Sequence, residues 1–334
     1  MISRRRFVSI VAGFAASGLA GAGRAAAVPE VSVWRGTAMG AMASLTLVHP
    51  DRRAARRLID AAVDEVERLE AIFSLYRADS ALSRLNADGE LAAPPGELVE
   101  LLSFALSLSR GSGGAFDPTV QPLYRLYAAH FAAPGADPRG PTSPAIARTL
   151  RLVDFRAVDV RTDRIRLARA GIALTLNGIA QGFITDRVAD LLRAAGFDDV
   201  LVDLGEARAL GRRPGGGAWR AAIADPGRPE RALFELPLGD AVGASLALAT
   251  SAGYGTRFGP DPRIHHLFDP HTGRSSNRYL SVSVAAPRAT LADGLSTTLS
   301  MLSAPAADAL LAAYPSARAY FVDAAGRVTL HEAG

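Results

Sequence analysis

The sequence predicts one α+β domain over residues 28–334, a single large domain of mixed sheets and helices. Three observations lead there. Apolar residues make up 49% of the 334-residue chain, enough for one large core. Period-two and period-3.6 apolar patterns both occur, but without the regular strand–helix–strand rhythm of a parallel α/β fold. No internal repeat divides the chain.

Residues 1–27 stand apart from this domain. Ser3-Arg4-Arg5-Arg6-Phe7-Val8 has the form of a twin-arginine export signal. A short apolar stretch from Ile10 to about Ala22 precedes Ala25-Ala26-Ala27, a small-residue cleavage site. The stretch is too short and too glycine-rich for a membrane span, which wants ~20 apolar residues. The expectation is export by the twin-arginine machinery, cleavage near Ala27 and a periplasmic mature protein.

Val31–Trp34 and Ala43–Val48 read as strands around a tight turn in Gly36-Thr37-Ala38-Met39-Gly40. Asp51 is placed to cap a helix running to about Phe73, with Leu58, Ile59, Ala62, Val63, Val66 and Leu69 on one face. A second helix fits Glu97–Ser109 and stops at Gly111-Ser112-Gly113-Gly114. Asp117-Pro118 is read as an N-cap and first turn, opening a helix to about Ala129. Residues 132–144 form a Pro/Gly-rich surface loop, and Ser143-Pro144 opens a further helix. Strands follow at Val158–Val160, Ile165–Leu167 and Ile172–Leu176, then a helix from Ile179 to Ala195 closed by Gly196. Val200–Asp203, Ala207–Leu210, Trp219–Ile223, Phe234–Leu238 and Leu246–Thr250 read as strands. Ser281–Ala286 alternates like a half-buried strand, and Thr290 is taken as the cap of the next helix. Ala319–Val322 and Arg327–Leu330 close the domain as a hairpin around Ala325-Gly326.

The residue inventory excludes several chemistries. All 37 basic residues are arginine, so lysine Schiff bases and P-loop phosphate binding through lysine are ruled out. Cysteine is absent, which removes disulfides, thiolate nucleophiles and Cys-zinc sites. Arg4, Arg5, Arg6 and Arg24 lie in the export segment, leaving 33 basic against 33 acidic residues in the domain. A neutral domain offers no basic footprint for nucleic acid.

The candidate chemistry concentrates between His265 and Thr297. His265 and His266 read as neighbours on a strand, facing opposite sides, one buried and one presented. Asp269-Pro270-His271-Thr272-Gly273 follows. Asp293 and Thr297 are four residues apart on a helix, hence on one face. A carboxylate and a hydroxyl are hard oxygen ligands, suited to Mg2+ or Ca2+ rather than zinc. Elsewhere, Tyr76 beside Arg77 suits stacking on a flat ligand. Gly113–Val120 and Leu174–Gly182 are glycine-bearing approaches to helix starts, which attract anions. Asp203 and Glu206 add two carboxylates at a strand end.

In this order the segments resemble the ApbE family of FAD:protein FMN transferases. The carriers are Met39-Gly40, S-L-Y-R-A-D-S-A-L-S-R-L-N (74–86), G-A-F-D-P-T-V-Q-P-L (114–123), N-G-I-A-Q-G (177–182), A-T-S (249–251), H-H-L-F-D-P-H-T-G (265–273) and A-D-G-L-S-T (292–297). The resemblance implies FAD as donor, a threonine of a target protein as acceptor, and release of AMP. It implies Mg2+ on Asp293, Thr297 and the Gly178 carbonyl. It implies flavin- or adenine-binding roles for Met39, Tyr76, Ala115, Phe116 and Asp117, and a catalytic base at His266. Against the usual family run D-L-G-G-I-A-K-G, this chain has Thr175 for the Asp, Asn177 for the first Gly and Gln181 for the Lys. Those changes bear on how Thr175 and Gln181 meet FAD rather than on the metal pair. The local version is similar to that of exported members linked to nitrous oxide reduction, whose acceptor is a periplasm-facing domain of a membrane redox protein. Water in place of threonine would make the same site an FAD hydrolase; without turnover the chain would be an FAD-binding protein.

Overall fold

The computed structural model describes residues 8–9, 30–239 and 245–333. The export signal lies outside the described residues, except that Val8 and Ser9 pair antiparallel with Ile223 and Ala222. Among the described residues, no helix is long and apolar enough to cross a membrane.

The first hairpin pairs Glu30–Ala38 with Ala41–His49, in register from Glu30↔His49 to Ala38↔Ala41. Its turn is Met39-Gly40, both with positive φ (49° and 75°), as a two-residue turn matched to strand twist requires. These strands form one edge of an eight-stranded antiparallel sheet. Across it lie Val200–Asp203, Ala207–Leu210, Leu246–Ala252, Ser281–Ala286, Arg318–Val322 and, at the far edge, Val328–Glu332. A three-stranded sheet of Glu90–Ala92, Arg164–Leu167 and Val158–Val160 stands apart.

Among the described residues, eight α-helices follow in chain order: α1 (Arg52–Phe73), α2 (Ala81–Asp88), α3 (Gly96–Gly111), α4 (Gln121–Ala132), α5 (Ser143–Leu150), α6 (Ala180–Ala194), α7 (Ala289–Leu299) and α8 (Ala304–Leu311). Asp51 caps α1 as expected, accepting from the amides of Arg53 and Ala54. The apolar stripes of α1, α6 and α7 meet one face of the large sheet, where Leu45, Leu47, Val202, Val282 and Phe321 join them in the main core, and α3 packs on α1. The other face is covered by the hairpin Trp219–Asp225/Arg228–Leu238, which packs Trp219, Leu236 and Leu238 on Leu201, Leu248 and Ala285. Ser281–Ala286 is therefore buried at every position, not half-buried as its alternation suggested. A third cluster of Leu123, Tyr127, Ile146 and Phe268 ties α4 and α5 to the segment around residues 258–268.

Several local expectations change. Asp117 does not cap α4, which begins at Gln121; it closes a turn instead, through Thr119. Ile172–Leu176 forms no strand. It is held by Asn86, whose side-chain amide gives and receives one hydrogen bond with Leu174 (2.8 and 2.6 Å). Thr290 lies inside α7, which is capped by a carboxylate from another helix. The helices α2 and α8 carry no strong period in so short a span and were not expected.

Candidate active site

A cleft of about 1390 Å³, its open mouth included, lies where four central strands end near α6 and α7. Nine of the eleven candidate residues line it: Ala115, Phe116 and Asp117; Thr175, Gly178 and Gln181; His266; Asp293 and Thr297. Met39 and Tyr76 do not. Met39 is buried in its turn, with its amide on the Glu70 carboxylate, and Tyr76 stands 69% exposed beyond α1. Asp203 and Glu206 complete the acidic end.

The metal-ligand candidates sit on two helices that cap each other. Asp293 of α7 accepts the Gly182 amide (2.9 Å) in the first turn of α6. Asp186 of α6 in turn accepts the amides of Ala289 and Thr290 (both 2.9 Å) and the Thr290 hydroxyl (2.7 Å). Each carboxylate meets the positive end of the partner's dipole. The helices can close this far only because residue 182 is glycine: a Cβ there would run into the Ala289 carbonyl and come within 2.8 Å of Asp293 Cβ. Asp186 and Arg208 are almost wholly buried (1% and 2% exposed) and paired at 2.9 Å; Arg208 also reaches Asp190 at 2.9 Å. Neither Asp186 nor Arg208 was among the candidate residues of the sequence.

Thr297 Oγ1 lies 3.3 Å from the Gly178 carbonyl oxygen and 3.2 Å from Ser251 Oγ. Two adjacent ligands on an octahedral Mg2+ at about 2.1 Å stand roughly 3.0 Å apart, so this oxygen pair fits with a small adjustment. A Cβ at residue 178 would press on Thr297 Oγ1 at 2.8 Å, so glycine keeps that approach open. Among the described residues no group of three or more His, Cys, Asp or Glu is placed to hold a metal. A donor set of one carboxylate, one hydroxyl and one carbonyl suits a hard cation that draws its other ligands from phosphate and water. Burial, then the charges of Asp293 and Asp203, push the Glu206 carboxyl well above the usual carboxylate range, against the Thr250 amide it accepts (3.2 Å).

The opposite wall is backbone. Gly113 and Gly114 both have positive φ (62° and 88°) and lead into Ala115–Asp117. Asp117 binds its own loop, accepting from the Thr119 amide and hydroxyl (2.7 and 2.6 Å) and the Phe155 amide (3.1 Å). Burial nonetheless raises its carboxyl above the ordinary value. Thr175 donates its amide to the Pro118 carbonyl (2.8 Å), which locks the two loops together. Gln181 donates to the Leu204 carbonyl (3.4 Å) and lies against Gly205, where φ is +104° and a Cβ would strike the Gln181 amide. The Lys-to-Gln change thus leaves a neutral donor seated on the Asp203–Glu206 loop.

His265 and His266 lie in a loop with one isolated bridge, Arg257↔His265, rather than on a strand, yet they still divide as expected. His265 is buried; burial, reinforced by Arg257, lowers its pKa to about 4, so it is neutral. His266 lines the cleft, and its Nδ1 lies 3.2 Å from the Thr256 carbonyl. A carbonyl only accepts, so Nδ1 carries the proton and Nε2 is the basic nitrogen. His271 does not join the cleft lining; its Nε2 donates to the Gly113 carbonyl (3.1 Å), holding the glycine loop.

Taken together, hard oxygen donors, glycine-opened backbone and one basic imidazole in a single cleft of an α+β fold suit a phosphate-bearing ligand. The family model of the ApbE family matches residues 39–321, and the chain belongs to that family. A Treponema pallidum protein named FAD:protein FMN transferase is 33% identical over 300 residues, covering 82% of this chain and 80% of that one. Among solved structures, the flavin transferase ApbE from Vibrio cholerae superposes with a TM-score of 0.78 at 25% identity, covering 92% of this chain and 98% of that one. The apo flavinyl transferase ApbE of Pseudomonas stutzeri gives 0.74 at 30% identity, covering 91% and 95%.

Proposed function

We propose that this chain transfers FMN from FAD to a threonine hydroxyl of a target protein and releases AMP, with Mg2+ held by Gly178, Asp293 and Thr297. The observation that carries this is the oxygen pair Thr297 Oγ1–Gly178 O, 3.3 Å apart beside Asp293 in the same cleft as His266. The names of the relatives support the reaction class. In the reaction the threonine oxygen bonds to the FMN-side phosphorus, the bond from that phosphorus to the AMP phosphate oxygen breaks, and the threonine proton goes to His266 Nε2. When bound, Mg2+ supplies positive charge to the diphosphate oxygens and the departing AMP. The Ala115–Asp117 and Thr175–Gly178 backbones seat the donor. His266, fixed by Thr256, receives the proton. Export by the twin-arginine route and an acceptor in a periplasm-facing domain of a membrane redox protein belong to the same proposal, on the strength of the Ser3–Val8 motif and the family resemblance.

The test incubates the protein with FAD, Mg2+ and a threonine-bearing acceptor, and follows AMP by chromatography and covalent flavin by mass. AMP and flavinylated acceptor should rise together. AMP alone would make the chain an FAD hydrolase, and bound FAD without AMP a binding protein. Asp293→Ala should abolish metal-dependent turnover; full activity refutes the metal assignment. His266→Ala should cost about 10²–10⁴-fold in turnover while FAD binding persists. Loss of FAD binding in that variant would make the histidine structural.

A further inference from the structure

Ser251 and Ser296 lie behind the oxygen pair; with Thr297 they bring three hydroxyl protons to four contacts, and the Ser296 bond to the Asp293 carbonyl (3.0 Å) outranks the longer Thr297–Gly178 contact (3.3 Å). Ser296 Oγ donates to the Asp293 carbonyl (3.0 Å), which only accepts. Ser296 has one hydroxyl proton, so in its 2.8 Å bond with Ser251 the donor is Ser251. Ser251 has then spent its proton as well. In its 3.2 Å bond with Thr297 the donor is Thr297. The Thr297 proton has one competing acceptor among the described contacts, the Gly178 carbonyl at 3.3 Å. That carbonyl is itself a proposed ligand, and its lone pair cannot serve a cation and a proton in the same direction.

We infer that Ser251 is a positioning residue for the metal site: it draws the Thr297 hydroxyl proton away from Gly178, so that the lone pairs of both oxygens face the cation. The inference rests on the proposed magnesium reading. Ser296 is shielded from water at 1% exposure, while Ser251, at 9%, stands at the wall of the cleft. Without Ser251, Thr297 donates to the Gly178 carbonyl, and two ligands are tied to each other instead of to the metal. Without Ser296, Ser251 is free to reverse and donate to Thr297, which again sends the Thr297 proton toward Gly178. The chain begins and ends on α7 and passes through the strand Leu246–Ala252, so the strand end reports on the ligand geometry of the helix.

The test measures Mn2+ binding by electron paramagnetic resonance in protein mixed with ADP as a diphosphate, alongside the Mg2+ concentration for half-maximal AMP release from FAD. Ser251→Ala should weaken Mn2+ binding by about 10-fold, the scale for partners that orient a ligand. Ser251→Thr, which keeps the hydroxyl, should restore most of it, and Ser296→Ala should show a smaller loss. Parent-like Mn2+ binding in Ser251→Ala, with Asp293→Ala defective, overturns the inference and leaves the metal site standing. Equal loss in Ser251→Ala and Ser251→Thr overturns it too, since the hydroxyl would then not be what matters. Parent-like binding in Asp293→Ala removes the metal reading itself.

Discussion

Asp186→Ala should be among the most damaging single changes outside the cleft, and its cost can be built from its partners. The carboxylate accepts two amides and one hydroxyl at the start of α7, at 2.7–2.9 Å. Losing such a cap costs about 1 kcal/mol. It also leaves Arg208 buried at 2% exposure without its principal partner. Removing one member of a buried pair costs ~3–5 kcal/mol, and the low end applies because Arg208 keeps Asp190. The two contributions overlap, since one carboxylate makes both, so the expected loss is about 3–4 kcal/mol. For a domain of roughly 300 residues, whose unfolding entropy is about 0.6 kcal/mol/K, this lowers Tm by roughly 5–6 °C. Urea unfolding of the parent, Asp186→Ala and Asp190→Ala would measure it. Asp190 is 38% exposed, and its removal should cost no more than about 1 kcal/mol. A loss below 1 kcal/mol in Asp186→Ala, or equal losses in the two variants, would refute the reasoning.

Gly182→Ala should separate α6 from α7, because its Cβ has no room between the Ala289 carbonyl and Asp293. A loss of ~1–3 kcal/mol in urea unfolding and a higher Mg2+ requirement are expected, and unchanged values of both would contradict the packing. His265, with its pKa lowered to about 4, binds fewer protons folded than unfolded between pH 4 and 6.5. Its contribution is therefore fully present above about pH 6.5 and is lost as pH falls toward 4, by up to roughly 3 kcal/mol. Unfolding free energies at pH 7 and 4.5 should show a shallower decline in His265→Gln than in the parent; identical declines would count against a buried neutral histidine.

Much of this was legible in the chain. The Asp51 cap, the Met39-Gly40 turn, the helix closed by Gly196 and the Asp293/Thr297 face follow from local rules that act over a few residues. The division of His265 from His266 survived even though the strand did not, because adjacent residues in any extended segment point apart. Long-range polar partners were not legible. Thr290 has the chemistry of a cap, yet the cap comes from Asp186, 103 residues away from the amide of Ala289. Asn86 stands in for a strand neighbour of Leu174 across 88 residues, a role no local pattern announces. One clue was there: Asp186 falls four residues after Gly182 and three before Ala189, on the apolar face of α6. A charge on a buried helix face needs a buried partner, and Arg208, between Ala207 and Ala209 in an otherwise apolar strand, was available.

The mutual capping of α6 and α7 also sets when the site can form as the chain folds. Its bonds join residues 103–111 apart in sequence, so the entropy of closing a long loop is spent before either cap exists. Ribosomal synthesis delivers α6 long before α7, and until then the Gly182 amide lacks the carboxylate it meets in the finished domain. A chain stopped between Ala286 and Asp293 carries six of the eight strands of the large sheet but not this oxygen site. Assembly of this oxygen geometry is thereby deferred until α7 has been made.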